Sequence, residues 1–152
     1  MLKKILLGLL AVFLLIQLVR PARNNGQAAT TNDITHTVPV PDTVLKLLQT
    51  SCYDCHSNHT NYPWYARISP VSIWLGNHVT EGKHELNFSE ARTYTAKKLR
   101  HKLVEIEEQV EQEEMPLKSY VLIHGDARLT KAQAALIIAW ANTSKTALDS
   151  LK

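Results

Sequence analysis

The sequence holds few residues of the kinds that announce a chemistry. Two cysteines, two phenylalanines and two methionines are all it has among 152 residues. A framework of several disulfides is excluded, and so is the second cluster of paired ligands usual for structural zinc. No stretch alternates convincingly with period two, which leaves no sign of a half-buried strand. One-sided charge is missing as well. Lys3, Lys4, Arg20 and Arg23 face only Asp33 before Thr37, and from there on 13 basic residues balance 13 acidic ones. A nucleic-acid binder needs a basic face. The one basic cluster, Arg92, Lys97, Lys98, Arg100 and Lys102, is followed at once by six glutamates between Glu105 and Glu114. We read the pair as a solvated, charge-segregated helix and expect no nucleic-acid partner.

Long apolar runs are also scarce. The one candidate is ILLGLLAVFLLIQLV at residues 5–19, preceded by Lys3 and Lys4. Its length suits an export signal and falls short of the roughly 20 residues that cross a bilayer unaided. Flanking Lys4 and Arg20 extend its reach by snorkelling. The best small-residue cleavage site, Gly26-Gln27-Ala28, lies well beyond the end of the run, so an uncleaved anchor over residues 1–20 is expected. Residues 21–40 are polar, small and proline-bounded, and read as a linker. One domain over residues 41–145 and a short tail, 146–152, complete the expected organisation.

Within the domain, Asp42 or Thr43 is placed to cap a short helix carrying Val44, Leu45, Leu47 and Leu48. Pro63 and Pro70 break the next stretch, and a short helix is expected over 71–80. From Ser89 to Pro116 the spacing of Leu99, Leu103, Ile106 and Val110 predicts one long helix with Met115 at its exit. A last helix begins at Thr130 with Gln133 completing a capping box, and its apolar run AALIIAWAN predicts burial nearly all round. The fold class expected is all-α.

Both cysteines lie in SCYDCHSNHTNYPWY, two residues apart, with His56 directly after Cys55. A disulfide between Cys52 and Cys55 closes too small a loop to stabilise much, and leaves His56 unexplained. A redox dithiol of the thioredoxin type needs a βαβ context that is not visible. A zinc knuckle drawing on His59 lacks its second ligand cluster. Covalent haem attachment uses every part of the string: two thiols form thioethers with the vinyl groups, and the next histidine turns its imidazole to the iron. This reading is favoured. It also accounts for the export signal and sets the domain outside a bacterial inner membrane, in the periplasm.

The chain resembles the small haem-binding domain family of bacterial c-type cytochromes, often membrane-anchored, through CYDCHSN, YPWYARISPVSIW, EGKHELNFSE, EEMP and LTKAQAALIIAW. The resemblance covers about residues 41–140 and departs at Ala91, where a tryptophan is expected after NFSE. It implies a small helical domain around one covalent haem c, preceded by an N-terminal apolar helix, with redox proteins as partners. Met115 is the favoured sixth ligand and His124 its rival; His59 is too near His56 to reach the opposite face, and His78, His84 and His101 read as solvated. Trp64 and Tyr65 are expected beside the porphyrin and Arg67 near a propionate. No acid, base or nucleophile constellation accompanies the haem, so the expected role is electron transfer rather than catalysis. A peroxidase-like enzyme or a gas or redox sensor with a labile sixth ligand is the alternative, and a zinc or disulfide interaction module a more distant one.

Overall fold

A computed structural model describes residues 1–150. Among these residues seven α-helices follow one another: α1 (Leu2–Ile16), α2 (Asp42–Ser51), α3 (Tyr53–His56), α4 (Val71–Glu85), α5 (Ala96–Glu111), α6 (Lys118–Val121) and α7 (Lys131–Asp149). Short 3-10 turns separate them, and among the described residues there is no strand, only an isolated bridge between Asn25 and His59. The all-α expectation holds.

The core is centred on the packing of α5 against α7. Leu99, Leu103 and Val110 form one buried stripe on α5 and meet Ile137, Trp140, Ala141 and Leu148 of α7. Each leucine, isoleucine or valine among them contributes about 1.5–3 kcal/mol when fully buried. Val44 and Leu48 of α2 and Phe88 complete the cluster. Arg100 pairs with Asp149, and Lys145 with Glu107, along the polar edges of the helix pair. The expected capping box of Thr130 and Gln133 is present. The all-round burial expected for α7 is not: Leu136 is exposed and only one face is covered. The expected tail from residue 146 is a continuation of α7 with Leu148 buried, and its last two residues lie outside the described ones.

The long helix expected from Ser89 is in fact two elements. Phe88–Thr93 is a 3-10 turn, Tyr94 is extended, and Thr95 caps α5 by accepting from the Lys98 amide at 3.2 Å. Tertiary packing overrides the periodicity here, because Phe88, Ser89 and Ala91 are buried and Ser89 bonds two other segments. Its hydroxyl donates to the Ala28 carbonyl and accepts from the Asn58 amide at 3.0 Å. Helix α5 also ends before Pro116. Glu113 is left-handed at φ 56°, the Glu113 amide reaches the Val110 carbonyl and the Glu114 amide reaches that of Gln109. This pair of bonds is a Schellman ending. The expected short helix at 71–80 extends to Glu85, and Pro41 rather than Asp42 occupies the cap of α2.

Residues 21–40, expected as a linker, are an ordered strap. Ile34 is 0% and Val38 3% exposed in the core. Asp33 accepts from the Thr35 amide and, at 3.1 Å, from the Tyr53 hydroxyl, while the Trp140 indole donates to the Pro39 carbonyl at 3.0 Å. Asn24 donates to the carbonyl of Ser57 and to the Thr60 hydroxyl, and accepts from Lys83. The polar composition that suggested a tether supplies these bonds. Helix α1 is mostly apolar after Lys3 and Lys4 and buries none of its residues, and among the described residues no helix is long and apolar enough to cross a membrane.

Candidate functional site

Helix α2 breaks at Cys52, whose φ of −129° and ψ of −39° leave helical geometry, and α3 starts at once. This kink turns Cys52, Cys55 and His56 onto the wall of a cavity of ≈ 600 Å³. The volume lies within the range of about 300–1,000 Å³ typical of small-molecule and cofactor sites. Helices α4 and α5 form the other walls, and the turn after α5 brings Met115 to the same cavity.

Helix α4 reaches the motif at Gly82. A Cβ there would stand 2.9 Å from the Cys55 carbonyl oxygen and 3.1 Å from its Cβ, so only glycine lets the two elements approach this closely. Leu86, just beyond α4, offers its carbonyl to His56 Nδ1 at 3.1 Å. Nδ1–H therefore donates, and the lone pair is left on Nε2, the arrangement of a ligating histidine oriented by a neighbouring group. Burial holds the imidazole below its usual pKa, against partly offsetting interactions with the Leu86 and Gly82 backbone, so it is neutral at pH 7. Phe88 presents its ring edge-on to His56 with centroids 6.5 Å apart, and stacks on Tyr53 at 5.1 Å.

Cys52 and Cys55 are free thiols. Burial raises the first to about 12, with Cys55 adding to the shift, and the second to about 11, with Asp54 adding. Both stay protonated at neutral pH, unsuited to bind a cation as thiolates. His59 turns away from them, its Nδ1 bonded to the Gly26 carbonyl at 3.1 Å. Among the described residues no group of three or more His, Cys, Asp or Glu is placed to hold a metal ion.

The remaining expected contacts lie elsewhere. Trp64 is 75% exposed and Arg67 is exposed, and neither lines the cavity. Tyr65 bonds His124 Nε2 at 3.2 Å, outside the cavity wall. His124 bonds the Tyr120 carbonyl through Nδ1 and stacks on that ring at 4.2 Å. Both its nitrogens are thus engaged. Ala91, where a tryptophan was expected, is fully buried in the core.

Among the polar residues of the wall, which include Asp54, Glu81 and Glu85, Lys102 and Tyr120 stand out as ones the sequence did not mark. Lys102, read from sequence as part of a solvated face, is 9% exposed and is, among the described residues, the one Lys or Arg lining the cavity. Burial by itself would lower its ammonium, but Glu105 at 2.6 Å and Glu85 at 3.5 Å outweigh this and raise it. Tyr120 donates to Asp54 Oδ2 at 2.8 Å; burial and that carboxylate keep the phenol protonated. The signal for Lys102 was its place between Leu99, Leu103 and Ile106 on α5. Nothing in the local sequence marked Tyr120.

These walls fit a haem: a neutral imidazole with a free Nε2, a thioether on the same cavity, two unpaired thiols beside the histidine and a mainly apolar lining. Fold and site define an all-helical domain built around a cofactor cavity. The chain belongs to the haem-binding domain family, whose model matches residues 11–143. Comparison with curated proteins and with solved structures gives no match.

Proposed function

We propose that this haem-binding protein carries one haem c, held by thioethers from Cys52 and Cys55 and ligated by His56, and that it transfers electrons. The observation that carries this reading is the convergence of both thiols, the oriented imidazole and the Met115 thioether on one cavity. Such a group, when bound, supplies a one-electron iron couple whose potential a methionine ligand raises. The chain's own residues define its setting. Leu86 fixes the His56 ring, Gly82 admits α4 against the motif, and Lys102 offers a cation to a carboxylate on the cavity side. His124 is the rival sixth ligand, disfavoured by the engagement of both its ring nitrogens.

Helix α1 is proposed to hold the chain at a bacterial inner membrane with the domain on the periplasmic side. Its 15 residues span about 22 Å, less than the roughly 30 Å of a hydrocarbon core. Lys3, Lys4 and Arg20 at its ends extend that reach by snorkelling. Redox proteins are the proposed partners, with a basic or neutral one docking near Glu105 to Glu114.

Expression with a haem-maturation system tests the central claim. Acidified acetone should leave the colour on the protein, and intact mass should show one haem per chain. Cys52→Ala combined with Cys55→Ala should abolish attachment. Colour extracted freely from the wild type would end the reading.

A further inference from the structure

The C-terminal end of α1 does not hang free of the domain. Gln17 donates from Nε2 to the Ser69 carbonyl at 2.9 Å, and its Oε1 accepts from the Ser69 amide at 3.0 Å. The Ser69 hydroxyl donates to the Val19 carbonyl at 3.2 Å. Pro21 then lies so close to α4 that a Cβ on Gly76 would stand 3.0 Å from its own Cβ. The last residues of the apolar helix are thereby fixed to one spot on the domain surface.

That spot is surrounded by exposed apolar side chains. Ile68 and Val71 flank Ser69, and Trp74 follows Val71 one turn along α4. Trp64 opens the preceding 3-10 turn. The exposed Leu122 and Ile123 immediately precede His124, which bonds Tyr65 in the 3-10 turn that Trp64 opens. Trp64 is 75% and Leu122 80% exposed, values unusual for large apolar groups. Arg20 and Arg67 are exposed beside them. Tryptophan next to arginine at the end of an apolar helix is the composition of a membrane–water interface.

We infer that this face rests on an anionic phospholipid bilayer, with Trp64, Ile68, Val71, Trp74, Leu122 and Ile123 in the headgroup region and Arg20 and Arg67 on lipid phosphates. The inference builds on the membrane reading of α1 and adds which side of the domain meets the lipid. The occupant follows from geometry. A helix whose end is bonded to Ser69 brings the surface around Ser69 to whatever its apolar length enters.

The test uses the full-length holoprotein in vesicles of phosphatidylethanolamine and phosphatidylglycerol, carrying p-benzoylphenylalanine in place of Trp64 or Ile123, or in place of Lys97 on α5 or Thr143 on α7. After flotation and irradiation, intact mass should show phospholipid adducts from positions 64 and 123 and none from 97 and 143. In a second arm, Trp64→Glu with Ile123→Glu should keep the haem spectrum and α1-driven flotation, while protease access near residue 68 rises several-fold. Chains that float but give adducts at 97 and 143 instead, equal labelling at all four positions, or adducts only to a second copy of the chain would overturn the inference and leave the anchor intact. A chain that fails to float would overturn both.

Discussion

His56 Nδ1 lies 3.1 Å from the carbonyl oxygen of Leu86, and that one bond decides which ring nitrogen faces the cavity. The same burial that makes the bond strong makes an imidazolium costly there. The folded pKa sits below the ordinary value, so between the two values the unfolded chain binds more protons. Stability of the haem-free protein should be level above about pH 6.5, the unperturbed imidazole value, and fall as pH drops through the folded pKa. Thermal melts across that range check it, and His56→Phe should flatten the slope.

Met115→Ala should remove the weak far-red sulfur-to-iron band of the ferric protein and lower the potential, with the haem still attached. His124→Ala should do neither, since its nitrogens are spent on Tyr65 and Tyr120. Absence of the band in the wild type, or coordination altered by His124→Ala and not by Met115→Ala, would assign the ligand to histidine.

Gly82→Ala places a methyl group 2.9 Å from the Cys55 carbonyl, against backbone that cannot swing aside. The expected loss is about 1–3 kcal/mol, as for other overpacked sites. Urea denaturation measures it. Gly125→Ala, where a Cβ meets nothing within 4 Å, is the control and should change little.

Ile34→Ala tests whether the strap is part of the core. For a fully buried isoleucine the cost should be about 2–5 kcal/mol. A change within about 0.5 kcal/mol, the range of surface substitutions, would return residues 21–40 to the status of a tether.

Glu113→Gly should stabilise the protein, by about 1 kcal/mol, because a side chain in the left-handed region is strained and glycine is not. Thermal denaturation of the two forms at one pH reads it directly.

Local signals were legible where one interaction decides. The CYDCHSN string and its neighbours pointed to a haem-binding family, Thr130 and Gln133 named a helix start, and the 99-103-106-110 stripe named a core face. What stayed hidden depends on distant partners. Ser89 reads as a helix cap until its bonds to Ala28 and Asn58 are seen. Asp33 and Asn24 look like solvated polar residues because Tyr53, Ser57 and Lys83 lie far along the chain from them. Lys102 was hidden by composition, as a charged residue among charged residues.

The strap changes how the domain can be thought to move. Between Gln17 and Pro39 its backbone and side chains are tied to Ser69, Tyr62, Ser57, Ser89, Tyr53 and Trp140 in turn. It acts as a bracket, not a rope. Residues inserted into it would break bonds before they lengthened any reach, and the cavity keeps a fixed height and heading relative to α1. A redox partner of the kind proposed would have to travel to this cavity, because the cavity has no slack with which to travel to the partner.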